Sequence, residues 1–247
     1  MSKYGEDLAY INDAGFSDFT EGTAPGVLAI LKRAGVRTGL VVDLGCGSGR
    51  WAKALGEAGY EVIGVDLSPS MIRLARQRAP RARFETGSLL STKLPACDAV
   101  TAIGEIVNYQ FDPKHSRAAL TRLFRRIHAA LRPGGLFIFD IAGPDRVPAE
   151  VPARYWKEGE DWSLHVEVDG NAHSRWMTRK SVCFRKNATG RYRRTEETHR
   201  LRLLDAGEIV AELTSIGFRA ASQSGYGRFR LYPGMRAVVA RKSDSLK

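Results

Sequence analysis

The sequence predicts an α/β fold: a doubly wound, mostly parallel sheet with helices on both faces and an antiparallel β insertion after the fifth strand. Three observations predict it. From residue 39 to residue 141, short apolar runs alternate with helical stretches, which is how parallel sheets with right-handed crossovers are built. The first run, Leu40-Val41-Val42-Asp43-Leu44, stops at a cluster of glycines and suits a central strand buried on both faces. After Pro144 the period changes to two, the mark of antiparallel strands with one covered face.

In order, Leu8 to Phe19 and Ala24 to Ala34 read as helices, the second closed by Gly35 in the manner of a C-terminal glycine. The strand over 40–44 is followed by a helix from Trp51 to Ala58 and a second strand, Glu61 to Asp66. Ser68-Pro69 opens the next helix, to about Ala79; serine caps well and proline suits the first helical position. Strands follow at Ala82 to Thr86 and Asp98 to Ile103, then a long amphipathic helix from Lys114 to Leu131. Pro133-Gly134-Gly135 reads as a turn into a fifth strand, Leu136 to Ile141. Residues 154–204 read as a meander, with turns at Asp169-Gly170-Asn171 and around Asn187 to Gly190. A helix from Asp205 to Ile216 ends at Gly217, and Phe218 to Ser224 with Arg236 to Arg241 close a seven-stranded sheet. One domain over 1–247 is expected: N-terminal helices over 1–35, a core over 36–144, the insertion over 152–204, and a return to the sheet over 205–247.

Composition excludes several classes. With 247 residues, 43% hydrophobic and 26% charged, the chain reads as an ordinary globule able to bury one large core. No apolar run is long enough to span a bilayer, and Met1-Ser2-Lys3-Tyr4-Gly5-Glu6-Asp7 lacks the core of a secretory signal. Cys46, Cys97 and Cys183 form no CxxC pair, so neither a disulfide framework nor a metal site is expected and a cytoplasmic location is. The net charge of +11 fits a nucleic acid, an anionic surface, an acidic substrate, or simply an arginine-rich source.

The glycine segment carries the chemistry. Glycine after a buried strand lets backbone approach a ligand, and the helix behind offers free N–H groups. Dinucleotides use G-x-G-x-x-G. Here Gly45, Gly47 and Gly49 give G-x-G-x-G, and Arg50 stands where the third dinucleotide glycine belongs. Asp43, two residues ahead, would repel pyrophosphate but suits a ligand bearing an ammonium group. Asp66, ending the second strand nineteen residues after Gly47, is placed to accept hydrogen bonds from ribose hydroxyls.

On these residues the sequence resembles the class I, Rossmann-like S-adenosylmethionine-dependent methyltransferases, well over residues 20–141 and loosely beyond. The resemblance implies that Asp43, Gly45, Cys46, Gly47 and Gly49 wrap the methionine part of S-adenosylmethionine. It implies that Asp66 holds the ribose and that Leu67 and Met71 line the adenine pocket. Gly87-Ser88-Leu89 stands where the family carries Gly-Asp or Gly-Asn at the adenine edge, so serine supplies no charge there. The exit of the fourth strand, Gly104-Glu105, faces the methyl group in that family, which brings Glu105, Asn108 and Tyr109 beside the chemistry. Leu131-Arg132-Pro133-Gly134-Gly135 matches the turn before the fifth strand.

The expected reaction is in-line transfer of the methyl group to an oxygen, nitrogen or carbon nucleophile of a small-molecule acceptor, releasing S-adenosylhomocysteine. Proximity and orientation supply most of such a rate, and oxygen or carbon nucleophiles also need a base. Glu105, Tyr109 and His199 are the catalytic candidates, with His115 and His165 as further histidines to weigh. Acceptor binding is expected from Asn108, Tyr109, Tyr155, Trp156 and Trp176, with Tyr4, Tyr10, Phe16 and Phe19 as a lid. Two other readings exist. The basic, aromatic segment between Arg175 and Arg200 could serve an RNA methyltransferase; against it, Gly104-Glu105-Ile106-Val107-Asn108 is not the Asn-Pro-Pro-Tyr of base-amine enzymes. The third is a non-catalytic cofactor-binding scaffold. The chain is read as a monomer or homodimer that does not engage a membrane.

Overall fold

The computed structural model describes residues 4–187 and 189–243. Residues 1–3 of the segment read as lacking a secretory signal, Ala188 of the 187–190 turn, and residues 244–247 lie outside the described residues.

Two helices, α1 (Glu6–Gly15) and α2 (Ser17–Arg33), precede strand β1 (Gly39–Leu44). Then come α3 (Arg50–Glu57), β2 (Tyr60–Asp66), α4 (Pro69–Arg78), β3 (Arg83–Thr86) and β4 (Cys97–Ala102). Helix α5 (Arg117–Ala130) leads into β5 (Leu131–Ala142). The insertion contains β6 (Ala153–Glu158), β7 (Trp162–Asn171), β8 (Trp176–Lys186) and β9 (Tyr192–Arg202). Helix α6 (Ala206–Ile216), β10 (Phe218–Gln223), the two-residue strands β11 (Gly225–Tyr226) and β12 (Phe229–Arg230), and β13 (Met235–Lys242) complete the chain.

The seven-stranded sheet has the order β10-β13-β5-β4-β1-β2-β3. Strands β1 to β5 run parallel, and β13 is antiparallel to both β5 and β10. Successive strand residues face opposite sides, and both sides are apolar. Val41, Ala99 and Ile138 pack with Leu31, Trp51, Leu55 and Ala75 on one face. Val42, Val100, Phe137 and Phe139 pack with Leu120, Phe124, Ile127 and Leu213 on the other. Each large side chain buried this way stabilises the fold by roughly 1.5–3 kcal/mol. The fold is the doubly wound α/β sheet that the alternation predicts.

Strands β6 to β9 form a separate antiparallel sheet. Its inner face, with Leu164, Val166, Met177 and Leu201, is covered by Leu8 and Ile11 of α1. Helix α1 is thereby held between this sheet and the mouth of the main one. A bridge between Tyr109 and Leu201 joins the loop after β4 to β9.

Several local expectations are corrected. The first two helices meet at Phe16, whose backbone leaves helical geometry, and α2 starts at Ser17 rather than Ala24. Pro25 lies inside α2, where it costs that helix a backbone donor. Pro133-Gly134-Gly135 is not a free turn but the start of β5, where the register with β4 slips between Cys97 and Ala99. Gly134, at φ 76°, absorbs that irregularity. Helix α5 begins at Arg117 rather than Lys114 because Ser116 caps it, its Oγ accepting from Ala119 N–H.

Candidate active site

The site lies past the C-terminal ends of β1, β2 and β4. Strand order reverses between β1 and β4, and such a switch point leaves a crevice in doubly wound sheets. A cavity of about 640 Å³ fills it.

One half of the cavity is a cradle. Asp43 lies almost wholly buried at the end of β1. Trp51 Nε1 donates to Thr101 Oγ1 (3.1 Å), and Thr101 Oγ1 donates to Asp43 Oδ1 (2.8 Å). This relay fixes one carboxylate oxygen and leaves the other without a donor among the described residues. Burial raises the Asp43 carboxyl to about 7, the Thr101 hydrogen bond opposing and the charge of Asp66 assisting. A buried acid of that kind is suited to an ammonium partner. Asp66 accepts from Gly47 N–H at Oδ2 (3.0 Å) and from Ser68 N–H at Oδ1 (2.8 Å). Each oxygen keeps lone-pair capacity for a ligand hydroxyl, although burial raises this carboxyl too. Gly47 has φ 51° and Gly104 φ 102°, and a Cβ at either would enter open space in the cavity wall. Backbone there can touch a ligand directly.

All the sequence-derived cofactor residues line this cavity except Gly49. Gly49 instead faces α4, where a Cβ would come within 2.9 Å of Ala75. Gly87, Ser88 and Leu89 line the cavity, and Ser88 Oγ bonds to Asp112. Asp112 brings the carboxylate that the Gly87-Ser88 pair lacks, from a distant loop.

The other half is polar and aromatic. Gly104 and Glu105 leave β4 with positive φ, and Glu105 (φ 60°) is a non-glycine residue in that region. Asp140 holds them there, accepting from Gly104 N–H (3.0 Å), Glu105 N–H (2.6 Å) and Tyr226 Oη (3.1 Å). Burial raises the Asp140 carboxyl to about 7. Glu105 is then gripped from both sides, by Arg146 Nε at 3.1 Å and Arg179 Nη2 at 2.7 Å. Burial alone would raise its carboxyl, but the charges of Arg179 and Arg146 outweigh that and hold it below the usual range. A carboxylate so neutralised is a poor proton acceptor, which argues against Glu105 as the base. Tyr109 accepts from Arg179 Nη1 (2.9 Å) and stacks on Phe111 with centroids 4.8 Å apart.

His199 lies in the wall among Tyr4, Tyr109 and Phe111, with Nε2 3.0 Å from Glu197 Oε2. A carboxylate only accepts, so Nε2 carries the hydrogen, and in the neutral imidazole Nδ1 is the nitrogen with the lone pair. Both side chains are buried. His115 is turned inward, to Gln110 (2.7 Å) and Val107 O (3.0 Å), and is not a surface group. His165 packs against Phe184 outside the cavity.

Three acceptor candidates are not brought to the cavity. Asn108 is buried behind it, tying Ala142 to Arg202 through their backbones. Trp156 is exposed, on the strand face opposite Tyr155, which does line the cavity. Trp176 lies beneath the guanidinium groups of Arg200 and Arg202. In place of Trp156 and Trp176, Arg146, Arg179 and Phe111 line the cavity. Arg179 sits in an alternating strand, Arg146 in the turn after β5 and Phe111 in the loop after β4; nothing local marks any of them as inward-facing, so sequence reasoning missed them. Asp140 did leave a signal, as an acid inside an apolar run.

The N-terminal segment closes the cavity. Ser68 Oγ donates to Tyr4 O (2.7 Å), and Gly5 N–H donates to Glu197 Oε1 (2.6 Å). Asp13, at the end of α1, accepts from Ser48 Oγ (2.7 Å), Arg50 Nε (3.1 Å) and Arg78 Nη2 (2.7 Å). Arg50, out of place for a dinucleotide, therefore ties α1 to the glycine turn. Of the expected lid, Tyr4, Phe16 and Phe19 line the cavity, while Tyr10 bonds outward to Asp161.

Comparison with known proteins finds similarity over the segment that builds this cradle. Residues 41–135 match the family model of a methyltransferase domain. The chain is 38% identical over 134 residues to a trans-aconitate 2-methyltransferase of Variovorax paradoxus, covering 53% of this chain and 48% of that one. A S-adenosylmethionine-dependent methyltransferase from Clostridium acetobutylicum superposes with a TM-score of 0.79 at 17% identity, over 95% of this chain and 99% of that one. An amino pentose methyltransferase from Micromonospora echinaspora, solved with S-adenosylmethionine bound, superposes with a TM-score of 0.74 at 22% identity, over 95% of each chain. These two likenesses establish the shared fold. The glycine turn with Asp43 and Asp66 thus lies inside the segment that matches a methyltransferase domain, and the whole chain shares the fold of S-adenosylmethionine-dependent methyltransferases.

Proposed function

We propose that this enzyme methylates a small-molecule acceptor held between Tyr4, Tyr109, Phe111, Tyr155 and His199, with His199 as the proton acceptor. The observation that carries this reading is continuity: the Asp43–Asp66 cradle and the His199 wall line one cavity. When bound, S-adenosylmethionine supplies a sulfonium methyl group that is already electrophilic. Asp43 would hold the ammonium group, Asp66 the ribose hydroxyls, and Leu67 and Met71 the adenine. Glu197 orients His199 so that Nδ1 can take a proton from an acceptor hydroxyl or ammonium. The aromatic rings and the N-terminal segment exclude water, which strengthens each polar contact. The trans-aconitate and amino pentose methyltransferases both act on small molecules, which supports the acceptor class.

The basic insertion does not favour RNA. Arg175 pairs with Glu208, Lys180 and Arg194 with Glu196, Arg185 with Asp7 and Glu6, and Arg193 with Asp7. Trp176, which a base would need to stack upon, is covered by arginines. Cofactor titration by calorimetry, followed by methyl incorporation into small-molecule extracts and into mixed RNA, tests the proposal. Incorporation into RNA alone would overturn it, and cofactor binding without transfer to either pool would favour a scaffold. A cytoplasmic enzyme is the consistent reading: Cys46, Cys97 and Cys183 are free, and no helix among the described residues is long and apolar enough to cross a membrane.

A further inference from the structure

The acceptor half of the cavity holds more positive charge than its own acids neutralise. Arg146 and Arg179 line it, and Lys157 stands at its edge, where Nζ donates to Gly15 O and lies over the Phe16 ring. Of the acids in the wall, Asp43 and Asp66 belong to the cradle, Asp112 is bonded to Ser88, and Glu105 is shared by two arginines. Asp18, in the first turn of α2, is the remaining one. Glu105 can balance only one guanidinium charge.

The two arginines differ in what they have left to give. Arg179 spends Nη2 on Glu105 and Nη1 on Tyr109. Arg146 spends only Nε on Glu105, and its Nη1 and Nη2 have no partner among the described residues. Its side chain is 28% exposed, and its guanidinium carbon lies 5.8 Å from the centre of the Tyr232 ring, another cavity residue. A guanidinium is a planar fork of five donors that matches a two-oxygen anion. Pinning Nε with a buried carboxylate fixes the plane of the fork and leaves its two outer nitrogens available. A largely enclosed cation with spare donors is unfavourable unless an anion meets it.

We propose that Arg146, supported by the charge of Arg179, is an anion subsite of the acceptor pocket, so that the acceptor carries a carboxylate or phosphate group. This rests on the reading of this half of the cavity as the acceptor site. Glu105 is then a positioning residue that aims Arg146. Carboxylate and phosphate share the recognising chemistry, two or more oxygens spaced for the fork.

The test uses the full chain saturated with S-adenosylhomocysteine. Three probe sets are titrated by calorimetry: mono-, di- and tricarboxylates; phosphate monoesters; and the neutral amides of the same acids. At least one acid should bind saturably and about tenfold or more tighter than its amide. The set that binds identifies the source of the anion. Arg146→Gln should weaken that acid about tenfold while S-adenosylhomocysteine affinity stays unchanged, and Arg146→Lys, which keeps charge without the fork, should fall between. Acids and amides binding alike, no acid binding, or full acid affinity in Arg146→Gln would each overturn the subsite. Loss of S-adenosylhomocysteine binding by the unaltered protein would instead defeat the cofactor cradle, a separate outcome.

Discussion

Nε2 of His199 lies 3.0 Å from Oε2 of Glu197, two residues back along β9. Residues two apart share a strand face, so the pair is built by local geometry alone. The fold then buries both side chains and wraps the histidine in three aromatic rings.

If His199 accepts the proton, His199→Ala should lower kcat about 10²–10⁴-fold, the usual worth of a positioned base. Glu197→Gln should also lower kcat, because the amide can donate and so favours the wrong tautomer, but by less, because its oxygen can still accept from Nε2–H. In both, S-adenosylhomocysteine affinity by calorimetry should be unchanged. A rise in KM with full kcat would reassign the pair to packing.

Asp66→Ala removes the acceptor for Gly47 N–H and Ser68 N–H and, in the proposed cradle, for the ribose hydroxyls. Cofactor affinity should fall about 100-fold, the equivalent of roughly 2.7 kcal/mol. Calorimetry measures it, with circular dichroism to verify folding. Unchanged affinity would remove Asp66 from the cradle.

Asp43 and Asp140 carry carboxyls that burial raises to about 7. The folded chain therefore holds protons that the unfolded chain releases above about pH 4. Stability from these two groups is greatest below that pH and declines as pH rises toward 7. Cofactor binding should run the other way. An ammonium group selects ionised Asp43, so affinity should rise as pH climbs through 7 and a proton should be released. Titrations in two buffers of different ionisation enthalpy would detect that proton, and Asp43→Asn should abolish it.

Asp13 ties α1 to Ser48, Arg50 and Arg78. Burial would raise its carboxyl, but the bonds from Arg78 and Ser48 and the nearby arginine charges hold it low. Asp13→Ala should cost about 1–3 kcal/mol, or about 2–4 °C in Tm for each kcal/mol in a chain of this size. A lowered acid stabilises above its unfolded pKa and loses that effect as pH falls through its folded one. The difference in Tm between wild type and variant should therefore shrink in acid. A constant difference would mean that the ion pairs contribute nothing.

The sequence by itself determined the sheet and the residues of the glycine-turn cradle. Strand-helix alternation, Asp43, the three glycines and Asp66 are all local, because backbone approach and a carboxylate at a strand end need only neighbouring residues. Their reading failed in detail where packing overrode it, as at Gly49, which serves α4, and at Pro133-Gly134-Gly135, absorbed into β5. The acceptor half was decided by tertiary structure alone. Glu105 meets Arg146 and Arg179 across 41 and 74 residues of chain, and Gly5 meets Glu197 across 192. Period-two strands tell which residues share a face but not which face meets the cavity, and so Trp176 and Arg179 could be told apart only once α1 and the main sheet had closed around one of them.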